Sequence, residues 1–506
     1  MEKLNKRLVI VGGGTAGWLT AAIVAAHHKS HLPDSVQVTL VESSDIPTIG
    51  VGEGTWPTMK NTIRSIGLKE SDFFKHCHAA FKQGGKFVNW VHPENEFYYH
   101  PFTFPFGYGN IDLAPYVQDI GKFAEESNFQ HHVCEAGLAP RSLAEGEYQG
   151  QCNYAYHLDA GAFAELLKKH CTSRLGVRHV VATVKQAKLD SQQNITSIEF
   201  EQDLPDIEGD IFVDCTGFAS YLLGKTLGVG FKPTNDILFN NRALAMQVPY
   251  EHENSPIASH TIATAHKSGW TWDIGLTSRR GVGYVYSSDF TTKEEAEATL
   301  HQYVGPAGKN LSIKEIEFQS GHREQFWKNN CVAVGLAAGF VEPLEATALM
   351  LIELSARYIA EQWPTSSDLN ALTAKRFNQQ MQYRWGRILD FLKLHYMLTK
   401  RPEEYWRANT QVDTIPESLQ EDLALWQYRG PSTQDFNSAI ELFPAASYQY
   451  VIYGMGFRPE FSKTQNVFAQ TAQAQKIIAR NQQFTEQMLR KLPKHRDMIQ
   501  QWLAHS

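Results

Sequence analysis

Arg7-Leu8-Val9-Ile10-Val11-Gly12-Gly13-Gly14-Thr15-Ala16-Gly17-Trp18 reads as a buried strand that runs into a glycine-rich turn and then a helix. Gly12 and Gly14 allow the tight turn and a close approach of backbone to a ligand, and Gly17 lets the helix pack against the sheet. The apolar run 19–26 has the composition of that helix. Its N-terminus, at Thr15 and Ala16, offers unpaired N–H groups and the positive end of the helix dipole to a pyrophosphate. A second strand, residues 36–41, ends at Glu42. That acid is placed for ribose hydroxyls, although it lies further on than the usual ~20 residues; a longer loop over 27–35 absorbs the difference. A lone GxGxxG is a weak signal, but strand, glycine turn, helix and acid in this order predict a dinucleotide-binding α/β fold.

The chain has 506 residues, enough for two or three domain-sized units with a deep core. Its formal net charge of −7 argues against a nucleic-acid or anionic-membrane partner. Aromatic residues make up 12% of the chain, enough to shape a pocket for a flat ligand and equally usable as core filler. Cys77, Cys134, Cys152, Cys171, Cys215 and Cys331 are scattered with no CxxC spacing. No metal cluster and a reduced, cytoplasmic setting are therefore expected. Lys3, Lys6 and Arg7 precede apolar residues as in a secretory signal, but Gly12-Gly13-Gly14 interrupts that apolar stretch. No segment is long and apolar enough to predict a membrane span.

Three further pieces point to the kind of dinucleotide. Ile49-Gly50-Val51-Gly52-Glu53-Gly54-Thr55 is a second glycine-rich turn, with Gly50, Gly52 and Thr55 as candidate cofactor contacts. Gly209-Asp210-Ile211-Phe212-Val213-Asp214-Cys215-Thr216-Gly217 reads as a strand ending in a tight turn. Cys331-Val332-Ala333-Val334-Gly335-Leu336-Ala337-Ala338-Gly339 is another, with Gly335 at its turn and a helical run over 347–362 to follow. Each is a common βα turn when taken alone. In this order they point to FAD rather than NAD.

Four motifs carry a resemblance to a known family. They are Gly12-Gly13-Gly14-Thr15-Ala16-Gly17-Trp18; Phe81-Lys82 followed by Lys86-Phe87-Val88-Asn89-Trp90; Gly269-Trp270-Thr271-Trp272-Asp273-Ile274-Gly275; and Gly339-Phe340-Val341-Glu342-Pro343-Leu344-Glu345-Ala346-Thr347. With them the chain resembles the flavin-dependent halogenases, the tryptophan-halogenase family, from residue 9 to about 396. The third motif resembles the family's WxWxIP, with Gly275 for the final proline. The fourth resembles its PLEST stretch, with Ala346 for serine.

The resemblance implies a reaction in which reduced FAD (FADH2), O2 and a halide, bromide or chloride, yield hypohalous acid that must reach an aromatic substrate. Lys82 then looks like the lysine that captures the oxidant beside the substrate. Lys86 competes for that role with a poorer spacing. Without the resemblance, a lysine between Phe81 and Gln83 reads as a solvated surface residue. Glu345 looks like the carboxylate that stabilises positive charge on the ring and takes its proton; as a bare helix N-terminal acid it would simply meet the dipole. The backbone N–H groups of Thr347 and Ala348 resemble a halide site, with Ala348 where the family usually has glycine.

Trp270 and Trp272, two apart on an extended segment, face the same side. The resemblance puts them between flavin and substrate; the bland reading is a pair of core rings. Gly275 is expected to loosen the turn after them. Tyr98-Tyr99-His100-Pro101-Phe102 resembles the segment whose histidine and phenylalanine, here His100 and Phe102, sandwich an indole; otherwise it is a proline-containing surface loop. The tyrosines and glutamate with which tryptophan-specific members hold the amino-acid backbone have no recognisable counterpart over 443–456. An indole-like or larger aromatic is therefore expected in preference to free tryptophan.

The predicted fold class is α/β: a Rossmann-like FAD-binding fold with inserted substrate-side β segments and a C-terminal helical region. Residues 1–370 are expected to form the FAD-binding and halogenation core, with insertions at about 60–205 and 231–310. Residues 371–506 should be helical and cover the substrate side, because stretches such as Arg387-Ile388-Leu389-Asp390-Phe391-Leu392-Lys393-Leu394-His395-Tyr396 space apolar residues as a helix does. A single GxGxxG, with no second nicotinamide fingerprint, implies a separate NAD(P)H-dependent flavin reductase as a diffusing partner. Two other classes compete. A flavin aromatic hydroxylase would share the fold but usually carries Gly-Asp at the second flavin turn, where this chain has Val334-Gly335-Leu336-Ala337-Ala338-Gly339. A catalytically silent flavin-binding protein would have no reason to keep both Lys82 and Glu345.

Overall fold

The computed structural model describes residues 4–45, 52–94, 96–438, 441–463, 466 and 468–505. The chain forms two compact units. The first comprises Met1–Ala79, Leu158–Thr234 and Gln319–Trp385; the second comprises Ala80–His157, Asn235–Phe318 and Gly386–Ser506.

The first unit is built on the predicted sheet. Strand Arg7–Val11 lies at its centre, parallel to Gln37–Glu42 on one side and Ile211–Asp214 on the other. Arg178–Val181 and Cys331–Ala333 extend the sheet outward, both parallel, and Trp327–Lys328 closes one edge. Leu8, Val9, Ile10 and Val11 are all buried, as a continuous apolar run must be when both faces of a parallel sheet are covered. The helix after the glycine turn spans Thr15–His28 and is buried from Gly17 to Ala25, consistent with its apolar character all round. It packs against the helices Ala160–Arg174 and Thr347–Glu361. Burial of Leu19 and Val24 contributes about 1.5–3 kcal/mol each. The helix ends at Lys29 in the left-handed region, and the long loop foreseen before the next strand follows. The strand over 211–214 leads into a π-helix, Tyr221–Thr226, that sequence patterning does not announce.

The second unit carries a seven-stranded sheet in the order Lys314–Glu317, Arg242–Pro249, Arg279–Tyr286, Gly269–Gly275, Thr261–His266, Gly84–Val88, Phe97–Pro101. All its pairings are antiparallel except that of Thr261–His266 with Gly84–Val88. Every second residue of two neighbouring strands (Leu244, Met246, Val248; Val282, Tyr284, Tyr286) packs under the helix Lys293–Val304 through Ala296, Leu300 and Val304. A Thr292–Glu295 capping box starts that helix. The C-terminal stretch is helical as expected, with Glu417–Trp426, Ala445–Gly454, Thr471–Lys491 and His495–Ala504 after the long helix Asn370–Met397. Ala445–Gly454 packs on strand Phe97–Pro101 and is buried from Ala445 to Tyr453. No helix among the described residues is long and apolar enough to cross a membrane.

Candidate active site

In the first unit, the candidate cofactor residues gather at the C-terminal edge of the parallel sheet, where open α/β sheets bind ligands. Gly12 adopts φ +118°, and a Cβ there would overlap the Cys215 carbonyl oxygen at the end of the neighbouring strand. A Cβ at Gly17 would overlap the Gly12 carbonyl oxygen, so the helix starts hard against the turn only because both positions are glycine. Gly14 differs. It is the helix N-cap, gives no side-chain cap, and nothing lies within 4 Å of where its Cβ would be. The protein's own packing leaves that space open beside the N–H groups of Thr15 and Ala16, which fits a pyrophosphate. The Glu42 carboxylate lies over Gly13, with Oε1 held by Lys168 at 2.9 Å and lying 2.8 Å from His179 Nε2. Gly335, at φ +70°, packs its turn on Ala16, so the turn after strand Cys331–Ala333 meets the first turn of the helix. These residues fit an FAD. Gly52 and Thr55 are buried in and after the short strand Gly52–Gly54, and Gly50 lies outside the described residues.

Glu345, Thr347 and Ala348 also belong to this unit. Helix Thr347–Glu361 begins after two successive left-handed residues, Glu345 (φ 65°, ψ 5°) and Ala346 (φ 55°, ψ 45°). No side chain caps this helix start. A left-handed residue followed by right-handed Thr347 turns consecutive N–H groups toward one point, the backbone form of an anion site. Thr347 is buried and Ala348 exposed. The Glu345 carbonyl oxygen accepts a hydrogen bond from Trp56 Nε1 at 2.7 Å.

In the second unit, Lys82 ends the strand Ala80–Lys82 and is only 4% exposed, which removes the solvated-surface reading. Its Nζ lies 5.3 Å from the centre of the Phe102 ring. The backbone makes that approach possible: the Phe102 N–H donates to the Gln83 carbonyl at 3.1 Å, and the Gln83 N–H to Ser259 at 2.7 Å. His100 is buried on strand Phe97–Pro101, a strand rather than a surface loop, and its Nε2 is hydrogen-bonded to Ser447 Oγ at 2.9 Å. His157 faces Ala80 across the strand pair and is held well below the usual imidazole range, by burial first and by the charge of Lys82 second. Lys86 is committed elsewhere: its Nζ is 2.6 Å from Glu135 and 3.9 Å from the centre of the Phe97 ring.

Trp270 and Trp272 sit on strand Gly269–Gly275 with ring centres 6.5 Å apart. Trp270 also adjoins Trp90, and Trp272 lies over Gly283 so closely that a Cβ there would overlap its ring. Gly275 stays in the strand opposite Arg280, and a Cβ on it would come within 2.9 Å of Ile257.

The family model for tryptophan halogenases matches residues 7–471. The chain belongs to the tryptophan halogenase family. It is 35% identical over 520 aligned residues to the 7-chloro-L-tryptophan 6-halogenase of Kutzneria sp. (strain 744), covering 97% of this chain and 98% of that one. The crystal structure of the tryptophan halogenase from Shewanella frigidimarina NCIMB 400 matches with a TM-score of 0.95 at 43% identity, covering 100% of this chain and 99% of that one. A flavin-dependent halogenase from Brevundimonas sp. BAL3 matches with a TM-score of 0.87 at 29% identity, covering 99% and 100%. The chain is therefore a flavin-dependent halogenase, an oxidoreductase, and the hydroxylase and silent-binder readings give way to that class.

Within this halogenase, sequence reasoning missed Trp56 and Ser447, whose partners lie 289 and 347 residues away. It also missed Asp214. That buried carboxylate accepts hydrogen bonds from the N–H groups of Thr216, Leu222 and Leu223 and so fixes the π-helix at the end of its strand.

Proposed function

We propose that this halogenase takes reduced FAD from a separate NAD(P)H-dependent flavin reductase and, with O2 and bromide or chloride, halogenates an electron-rich, indole-like aromatic. The observation that carries the reading is Lys82, a buried lysine set over the ring of Phe102. When bound, reduced FAD would activate O2 so that halide is oxidised to hypohalous acid. Gly12, Gly14, Thr15, Ala16 and Gly17 hold the pyrophosphate and Glu42 the ribose, with Gly50, Gly52, Thr55 and Gly335 as further backbone contacts. The N–H groups of Thr347 and Ala348 hold the halide. Lys82 captures the oxidant and delivers it to the ring. The Glu345 carboxylate stabilises the charge that develops there and removes the proton. His100 and Phe102 flank the substrate ring, and Trp270 and Trp272 keep the substrate off the flavin. All six cysteines are free and buried, which supports a reduced, cytoplasmic setting.

The helix Ala445–Gly454 favours indole over free tryptophan. The Tyr448 hydroxyl accepts from Arg387 at 3.0 Å, Tyr450 donates to the Thr103 carbonyl at 2.9 Å, and the Gln449 amide donates to the Pro431 carbonyl at 3.0 Å. Each of these three groups already has a partner within the protein, which supports indole over a zwitterion. The test is incubation with indole, bromide, FAD, NADH and an added flavin reductase, read by mass spectrometry. A bromine isotope doublet is expected. An added oxygen, or no product with active reductase, overturns the reading. Rapid flavin reduction by NADH or NADPH with the purified halogenase alone refutes the need for a second protein.

A further inference from the structure

We infer that Trp56 is a positioning residue for the Glu345–Thr347 turn, its indole N–H holding the Glu345–Ala346 peptide in the orientation that sets both the Glu345 carboxylate and the N–H groups at the start of the following helix. The inference rests on the roles proposed above for Glu345, Thr347 and Ala348. That peptide is fixed from both sides: the Glu345 carbonyl oxygen accepts from Trp56 Nε1 at 2.7 Å, and the Ala346 N–H donates to the Pro343 carbonyl at 3.0 Å. The held conformation is one that alanine resists. Ala346 sits at φ 55° and ψ 45°, directly after Glu345 at φ 65°. Among the described residues, this is the one place where two consecutive non-glycine residues have positive φ. Turning the peptide over would rotate ψ of Glu345 and φ of Ala346 together and let Ala346 relax to negative φ. The Ala346 N–H would then lose the Pro343 carbonyl, and the turn that carries the Glu345 side chain and leads into the N–H groups of Thr347 and Ala348 would lose its restraint on both sides. The Trp56 hydrogen bond opposes that relaxation. Trp56 lies next to Thr55 of the second glycine turn, so the same short segment carries a candidate flavin contact and this clamp.

Trp56→Phe keeps the ring and removes the N–H. Losing one neutral hydrogen bond predicts a rise in the halide KM of about 3- to 10-fold, with FAD affinity by fluorescence titration and thermal stability without halide close to wild type. Bromide should also raise the melting temperature of the variant less than that of the wild type at equal concentration. The double variant Trp56→Phe/Ala346→Gly should recover most of the loss, because glycine occupies the left-handed region without penalty. An unchanged halide KM in Trp56→Phe overturns the inference, and so does a raised KM that Ala346→Gly fails to restore. Glu345→Gln separates the two levels. If it halogenates like wild type, the role of the whole turn falls; if it is inactive while Trp56→Phe matches wild type, the positioning role of Trp56 alone falls.

Discussion

Replacing Lys82 and Lys86 one at a time by methionine, which keeps most of the apolar stem and removes the charge, tests the assignment at the centre of the proposed chemistry. The two lysines differ in what surrounds them. Lys86 is 2.6 Å from Glu135, with side chains 18% and 37% exposed, and stands over Phe97. An ion pair of that exposure contributes about 0.2–1 kcal/mol and the ring contact about 0.5–1 kcal/mol. Glu135 keeps its hydrogen bond from the Tyr99 hydroxyl after the change. Lys86→Met should therefore cost about 1 kcal/mol of stability and leave halogenation within about threefold of wild type. Lys82 is buried against Phe102 and beside His157. Removing its charge forfeits up to about 2 kcal/mol of cation–π attraction but relieves a desolvation cost of similar size. The fold should survive, while a group that acts on the oxidant should take at least about a hundredfold of halogenation with it. Two readouts on each variant suffice: urea unfolding, and halogenated product against flavin reoxidised by O2. Lys82→Met should still reoxidise flavin and release the oxidant unused. Halogenation near the wild-type rate in Lys82→Met refutes the assignment, and inactivity of a folded Lys86→Met transfers it to Lys86.

Indole should show a much higher kcat/KM than tryptophan, because burying an ammonium and a carboxylate without partners costs about 2–5 kcal/mol; higher efficiency on tryptophan with the same halide and reductase contradicts this. Bromide should be used at least as well as chloride, being the easier to oxidise, with Ala348 standing exposed where the family usually has glycine; mainly chlorinated product from an equimolar competition refutes it. Glu353, buried between Thr58, Thr62 and Arg357, has its pKa pushed up to about 7, chiefly by burial. The folded state then holds this proton more tightly than the unfolded chain, so stability falls as pH rises from the ordinary carboxyl range through about 7. Glu353→Gln should thus gain on wild type as pH rises, reaching about 3 kcal/mol above pH 7; urea unfolding at pH 5 and pH 8 should show the gap widening, and a gap that narrows would show the sign to be wrong.

The parts of this halogenase legible in its sequence are those whose physical requirement is local. Gly12 can be read because the turn itself takes a positive φ there, Gly17 because the Gly12 carbonyl five residues back occupies the space a Cβ would need, and Arg7–Val11 because an apolar run must be covered on both faces. The choice between Lys82 and Lys86 is of another kind. Both sit on short strands near the same motif, and what separates them is Glu135, which folding brings to one and not the other. Trp56 and Ser447 could not have been found by pattern, since neither an indole N–H nor a serine hydroxyl signals which distant oxygen or ring nitrogen it will meet. The left-handed pair at Glu345 and Ala346 was hidden for the opposite reason: neither residue type favours positive φ, so local propensity points away from the structure.

That last mismatch bears on function. Most other non-glycine residues with positive φ in the described chain fall at helix ends or turns, as at Lys29, His78, Asn89 and Asn329. Glu345 and Ala346 instead occupy consecutive positions ahead of a long buried helix, where a right-handed start with an ordinary cap would serve stability better. Lys82 is an exception of another kind, only 4% exposed in a residue type that is rarely so buried. Proteins hold such conformations only where surrounding contacts over-determine them, and they concentrate at sites that do chemistry. Here each exception has its restraint: Trp56 and Pro343 pin the turn in one unit, and Gln83 with Ser259 and Phe102 fixes the backbone beside Lys82 in the other. The residues proposed for halogen transfer and ring deprotonation thus both sit in local structure that propensity and burial alone disfavour, and their substitution should cost activity far more than folding.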